Sequence, residues 1–328
     1  MFNPKVTVII LSYNQDEYIA DAIQSVLDQT YSNLEIIISD NGSTDDSKEI
    51  IREFSELDPR IIFLDYPENY KITVRQNKAA QISTGDFISL LYGDDYYLSN
   101  KIDRQISAFK NLSLDWGVVH GPGFKEDVKT LKRDLMPATE AHGESLLDLL
   151  ENFSDGFINP ISPLVRRECY LSNKSFEELF TEGEGVFFRF AMKHKFFYID
   201  EPLVVMREHE KNMGKAITKN EEIHSFCMGK IAEHPDFPAE YIRSLRKHES
   251  SHMFGVGFEC LRGNLDMNKG VELIRKSMKV YPLHLLHLRF IGIFALTFLP
   301  IIILKKLMIF LSFIFQWDDQ KSLKDYYS

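Results

Sequence analysis

The chain has 328 residues, of which 44% are apolar and 26% charged, an ordinary globular composition that excludes a largely disordered protein. A net charge of −10 argues against nucleic acid as a partner. Three cysteines, Cys169, Cys227 and Cys260, lie far apart without Cys-x-x-Cys or Cys/His ligand spacing. They point to a reducing, cytoplasmic compartment and away from a zinc site or a disulfide frame.

The opening residues MFNPK lead at once into a strand-like run, so no signal peptide is expected. Val6 to Leu11 (VTVIIL) is a continuous apolar run of the length of a strand buried on both faces. Ser12-Tyr13-Asn14 follows, and Asn14 with Glu17 three residues on has the spacing of a capping box. Tyr18, Ile19, Ala22, Ile23, Val26 and Leu27 then share one helical face. Leu34 to Ser39 is a second buried strand, ending in the polar turn Asp40-Asn41-Gly42-Ser43-Thr44-Asp45, which also caps a helix through about Phe54. Ile61 to Leu64 is a third strand, and Thr73 to Ile82 a helix closed by Gly85. The fourth strand, Phe87 to Leu91, runs through Tyr92 and Gly93 into two adjacent acids, Asp94 and Asp95. Ser99 can cap a helix to about Phe109, and Val118 to His120 is a fifth strand.

This alternation predicts right-handed βαβ units and a mostly parallel sheet, with ligands at the carboxyl ends of its strands. Three polar clusters fall at those ends: Ser12-Tyr13-Asn14, Asp40-Asn41 and Asp94-Asp95. Singly they are a helix cap, a turn and an acidic surface pair; together they favour one shared site. There is no GxGxxG after the first strand and no GxxxxGK[ST]. A phosphate bound there needs a metal ion to neutralise it, which paired aspartates suit.

VTVIILSYNQDEYIADAIQSVLDQTYSNLEIIISDNGSTDD resembles the opening of family 2 glycosyltransferases, TGDFISLLYGDDYYLSNKI resembles that family's metal-binding segment, and FFYIDEPLVVMREHEKNMG its closing segment. The match is close over residues 5–110 and recognisable to about 214. It implies a GT-A type Rossmann-like α/β sandwich with a mostly parallel central sheet, plus a helical C-terminal extension. It also implies inverting transfer of a sugar from a nucleotide-diphosphate donor, such as a UDP-sugar, to a hydroxyl of a glycan or lipid-linked acceptor in surface polysaccharide or lipopolysaccharide biosynthesis. Carried over by residue, Tyr13 stacks on the nucleobase between Ser12 and Asn14, Asn41 bonds the base edge and Asp40 sits beside them. Asp94 holds Mn²⁺ or Mg²⁺ against the diphosphate, and Asp95 faces the donor sugar. Lys71 or Arg75 contacts the diphosphate, with a solvated helix face as the alternative. His209, with Arg207 and Asn212, closes over the diphosphate.

Two departures stand out. Tyr92 replaces the first acid of the family's D-x-D, and the E-D pair that carries the base is represented by Thr181-Glu182-Gly183-Glu184-Gly185. Glu184 is the first choice as base and Glu182 the second. A catalytically degenerate nucleotide- or glycan-binding module therefore stays open as the rival, whereas a sugar nucleotidyltransferase would need a glycine-rich loop that LSYNQDEY does not supply.

The expected division is a transferase domain over 1–215, comprising nucleotide-sugar binding in 1–110 and the acceptor and base region in 111–215, then a helical region over 216–328. A helix is expected at Glu144 to Glu151, and Pro160 to Arg167 leads back to a sheet edge. Glu221 to Val280 is helical with a break near 263–264, and Met253, Phe254, Val256 and Phe258 are core. From Leu273 to Trp317 there are six cations and no acid, which leaves −16 on the rest of a chain whose total is −10. Phe290 to Leu304 is uncharged but short of a span of about 20 residues, and Pro300 would kink it. The 286–317 segment therefore reads as a peripheral contact on the inner membrane face, with a helix pair packed on the body as the alternative.

Overall fold

The first half alternates strand and helix: β1 (Val6–Ser12), α1 (Ile19–Leu27), β2 (Leu34–Asp40), α2 (Ser47–Leu57), β3 (Ile61–Asp65), α3 (Ile72–Ile82) and β4 (Phe87–Tyr92). There follow β5 (Tyr96–Tyr97), α4 (Lys101–Phe109), β6 (Trp116–His120), β7 (Gly123–Asp127), β8 (Arg133–Leu135), α5 (Leu146–Glu151), β9 (Leu164–Arg166), α6 (Arg167–Ser172), α7 (Gly185–Ala191), β10 (Lys195–Tyr198) and β11 (Val204–Glu208). This computed structural model describes residues 2–136, 138–152, 157–183, 185–210, 212, 217–263, 265–286 and 288–315. The chain divides into two units, Met1–Leu146 with Gly156–Asn212, and Leu147–Asp155 with Met213–Ser328.

In the first unit seven strands run in the order β10-β6-β9-β4-β1-β2-β3. β1 and β2 are buried at every position, as continuous apolar runs require when both faces are covered. Ile19, Ala22, Ile23 and Val26 of α1 join Val8, Ile10, Ile36 and Ile38 in the same core. The sheet is mostly parallel and the architecture mixed α/β, as the strand–helix alternation requires. β9 lies inside the sheet rather than at its edge, antiparallel to both β4 and β6. Three residues between two prolines and an arginine carry no sign of strand direction or of a place inside the sheet. A second sheet runs β5-β11-β7-β8.

Local expectations are corrected at several ends. α1 starts at Ile19 without a side-chain cap, and Asn14 Oδ1 instead accepts the Thr44 amide at 2.8 Å, so no capping box forms. α2 runs on to Leu57, with Asp45 Oδ1 accepting the Ser47 amide at 3.1 Å. α3 closes at Ser83. Gly85 serves the sheet instead, because a Cβ there would lie 2.6 Å from the Thr7 amide nitrogen. α4 begins after Asn100, without a side-chain cap from Ser99.

The second unit is helical: α8 (Ile217–Ala232), α9 (Ile242–Arg262), α10 (Met267–Val280), α11 (Leu288–Leu296) and α12 (Ile301–Phe315). Gly257 and Gly270 let α9 and α10 approach, since a Cβ on either would come within 2.9 Å of the other's carbonyl oxygen. Met253, Phe254, Val256 and Phe258 are buried, as expected of core residues. Pro300 does not kink one long helix; it separates α11 from α12, and its carbonyl accepts the Ile303 and Leu304 amides at 2.9 Å. Among the described residues no helix is long and apolar enough to cross a membrane.

Candidate active site

β1, β2 and β4 end side by side, so the three polar clusters meet. The Asn41 amide donates to Ser12 O at 2.8 Å and the Gly93 amide to Leu11 O at 2.9 Å. Asp40 is fully buried, and its Oδ1 accepts the Gly42 and Ser43 amides at 3.1 and 2.8 Å. Gly42 has φ of +81°, and a Cβ would lie 2.5 Å from the Glu68 carbonyl carbon, so the turn needs glycine twice over. The Tyr13 ring is 42% exposed beside this turn. Ser12 Oγ is buried without a hydrogen-bond partner among the described residues.

Asn41 is fully engaged. Its amide donates to Tyr70 O at 2.7 Å and Asn69 Oδ1 at 3.1 Å, and its oxygen accepts from the Tyr70 amide at 3.0 Å and Arg75 Nε at 3.2 Å. It thereby ties the loop before α3 to the end of β2. Arg75 lies over the Tyr66 ring at 3.6 Å. Lys71 Nζ donates to the Glu177 and Glu178 carbonyls at 2.9 and 3.1 Å.

The acids after β4 are held from the other side by β11, because Tyr96 and Tyr97 pair with Val205 and Val204. That pairing delivers Arg207 and His209 to the acids. His209 Nε2 lies 3.0 Å from Asp94 Oδ2. The Arg207 amide donates to Asp95 Oδ1 at 2.8 Å. Burial, and then the Asp94 charge, push the Asp95 carboxyl well above the usual carboxylate range, while the Arg207 amide pulls the other way. The Arg207 guanidinium bonds Asp21 at 2.6 Å and lies 4.6 Å from the Tyr96 ring centre. Asn212 Oδ1 accepts the His209 amide at 2.6 Å.

Glu182, the second choice as base, is buried and bonded by Arg189 through both guanidinium nitrogens, and it accepts the Phe176 amide at 2.9 Å. It lines a small cavity with Tyr92, Gln76, Tyr170, Phe187 and Phe190. Glu184 lies outside the described residues.

Sequence reasoning missed three supports. Tyr18, read as helix core, stacks on His209 at 5.2 Å between ring centres. Glu126 joins Tyr96 and Arg133 at 2.8 and 2.6 Å, behind the acids. Gln15 fills the space where a side chain on Gly93 would be, its Oε1 only 2.3 Å from an added Cβ. None follows from periodicity, because each depends on a partner distant in the chain.

For a divalent cation the protein offers Asp94 oxygen and His209 nitrogen, a hard carboxylate with an imidazole, which suits Mn²⁺ and, through the oxygen, Mg²⁺. Among the described residues no three His, Cys, Asp or Glu side chains group as metal ligands; diphosphate and water oxygens are the further ligands that a hard cation takes.

A mostly parallel sheet with paired acids at a strand end, met by a strand that carries Arg207 and leads into His209, is the arrangement of a GT-A glycosyltransferase fold. The model of glycosyl transferase family 2 matches residues 7–170, half of the chain, and the chain belongs to that family. It is 36% identical over 105 residues to the Bacillus subtilis (strain 168) glycosyltransferase TuaG, named for teichuronic acid biosynthesis; this covers 32% of the chain and 42% of that protein. It is 28% identical over 222 residues to the Campylobacter jejuni GalNAc(5)-diNAcBac-PP-undecaprenol beta-1,3-glucosyltransferase, covering 62% of the chain and 65% of that protein. The chain thus spans less than half of TuaG, and 18% of the GlyA glycosyltransferase of Streptococcus pneumoniae. Among solved structures, S. aureus TarS with UDP-GlcNAc superposes with TM-score 0.63 at 15% identity over 84% of this chain and 81% of that one. The Pyrobaculum calidifontis mannosyltransferase PcManGT with GDP-Man and Mn²⁺ gives 0.59 at 14%, over 98% and 89%.

Proposed function

We propose that the protein transfers a sugar from a nucleotide-diphosphate donor, UDP-linked in the first instance, to a hydroxyl of a glycan or lipid-linked acceptor, with inversion, in building a surface polysaccharide such as lipopolysaccharide. The observation that carries this reading is the meeting of Asp94 and His209 at 3.0 Å beside the Ser12 and Asp40 strand ends. The named roles of the C. jejuni and B. subtilis relatives support the acceptor class.

In this reading Tyr13 stacks on the base and buried Ser12 Oγ gains a partner there. Asn14 and Asp40 hold the turn that shapes the base pocket. Asn41 acts mainly by fixing residues 69–71 and the first turn of α3, from which Lys71 and Arg75 reach the diphosphate. Asp94 and His209 hold the cation, which when bound neutralises charge developing on the leaving diphosphate, worth several kcal/mol. Asp95, anchored by the Arg207 amide, faces the donor sugar. Glu184 takes the proton of the acceptor hydroxyl, a role worth about 10²–10⁴-fold. Glu182, committed to Arg189, sets the loop that carries Glu184. Inversion follows from one base and one leaving group in line, without a covalent intermediate. The apolar, acid-free C-terminal segment supports a place at the cytoplasmic membrane face, bound peripherally through 286–317.

The test is a nucleotide-sugar panel, with release of nucleoside diphosphate followed with Mn²⁺, with Mg²⁺ and with chelator. Metal-dependent release from one donor class is expected. Tight nucleotide binding without release from any donor would favour the binding-module rival, which Tyr92 and the Glu182–Arg189 pair keep specific.

A further inference from the structure

We propose that the outer face of α12, with Phe298 just before it, is a docking surface for an anionic lipid bilayer, on which the helix lies flat. This names the face and the lipid class for the membrane contact proposed above, and rests on that part of the reading.

α12 uses one face inside its own unit. Leu304 and Met308, one turn apart, are buried in a cluster with Phe254, Leu261 and Ile274, and Ile301 and Leu311 pack against it. At about 100° per residue, Ile302 and Ile309 lie on the opposite side of the helix from Leu304. There Ile302 is 73% exposed and Phe310 58%, and Ile303, Ile309 and Phe298 are exposed with them. A helix on a water-facing surface places polar residues on this arc, yet from Ile301 to Leu311 the only polar side chains are Lys305 and Lys306. Both lysines are exposed.

Charge selects the occupant. Lys276 and Lys279 of α10 are exposed as well, and no acid occurs from Leu273 to Trp317. A second copy of the chain would set the lysine pairs of the two faces against each other. Anionic lipid accepts both the apolar side chains and the cations. Length selects the orientation. The 15 residues of α12 reach about 22 Å, short of the ~30 Å hydrocarbon core, and Pro300 breaks the path from α11. Lys305 and Lys306 near the helix middle would fall inside the bilayer of a span, whereas on a flat helix their stems carry the charges up to the phosphates.

The experiment is co-sedimentation of the full chain with phosphatidylcholine vesicles, with and without phosphatidylglycerol. Binding is expected to the mixed vesicles and to be much weaker to phosphatidylcholine alone. Replacing Ile309 and Phe310 by Ser should weaken binding to both. Lys305→Glu with Lys306→Glu should remove the phosphatidylglycerol gain, at least about 25-fold if each lysine contributes about fivefold. Melting curves check that these exposed substitutions leave the fold intact. Donor turnover with a water-soluble acceptor is measured in the same variants and should be unchanged, so loss of turnover and loss of docking are separable. Equal binding by wild type and variants, no binding to mixed vesicles, or a dimer dispersed by the same substitutions would overturn the proposal.

Discussion

Asp94 offers one carboxylate oxygen to His209 and sits beside an aspartate that burial drives towards its neutral form. Asp94→Asn keeps the shape and much of the hydrogen bonding but removes the charge that a cation needs. Metal-stimulated donor turnover should fall by about 10²–10³-fold, the size of losing one strong electrostatic contact in a reaction site, while the melting temperature hardly moves. Unchanged turnover would remove Asp94 from the metal role. Lys101 is a different matter. It is fully buried, donates to Ser89 Oγ at 2.8 Å and Gln105 Oε1 at 2.9 Å, and has no ion-pair partner among the described residues. Burial lowers its pKa well below the usual lysine value, because the charged amine loses its hydration there. The unfolded chain then binds the extra proton below about pH 10.4, and stability rises with pH towards that value. Lys101→Met should remove that extra slope from the range below about pH 10.4 in denaturant titrations; equal slopes in both proteins would refute the lowered pKa. Asp94 stands out in the sequence as a candidate because two acids follow an apolar strand. Lys101 does not, because a charged letter at a helix start says nothing about depth.

At the scale of elements, local periodicity revealed β1 to β4 and the helices between them, and long-range pairing decided the rest. β5 has two residues, and its partner β11 lies far along the chain, so no window of sequence shows that they meet. That meeting is what brings His209 to Asp94. The likeness to a family supplied His209 as a candidate; the β5–β11 pairing shows how the fold places it. The 181–189 segment carries the corresponding prediction. Arg189 and Glu182 form a buried ion pair, and removing one partner strands a charge. Arg189→Met should cost about 3–5 kcal/mol in denaturant unfolding, and adding Glu182→Leu should recover much of it. Glu184→Gln should instead reduce turnover by about 10²–10⁴-fold with little change in stability. If Glu182→Gln abolished turnover in fully folded protein while Glu184→Gln did not, the two glutamates would exchange roles.

At the scale of the whole molecule, the acidic total and the acid-free C-terminal stretch were plain from composition, and so was a helical second half. Leu147–Asp155 groups with the second unit, with His248 Nδ1 3.2 Å from Leu150 O, a return of the chain that no window of sequence shows. Also hidden was a group of histidines on α8 and α9. His224 stacks on His252 at 3.8 Å and lies 5.1 Å from His248. Burial lowers His248 to about 4, and burial with repulsion from neighbouring histidines lowers His252 to about 3 and His224 well below its usual value. The sign follows from proton counts. Unfolded histidines titrate near 6.5, so below that value the unfolded chain binds protons that the folded unit refuses. Stability is therefore full above about pH 6.5 and falls as pH drops towards 4, by up to about 4 kcal/mol per pH unit if all three take part. His120 in the first unit, lowered to about 4 by burial, adds the same tendency there. Equilibrium unfolding from about pH 8 to pH 5 should show the loss, and His252→Gln should reduce the second unit's slope by roughly one proton. A slope unchanged by that substitution would mean that His252 is already protonated in the fold, and that the stacked pair is held by a buried charge rather than by two neutral rings.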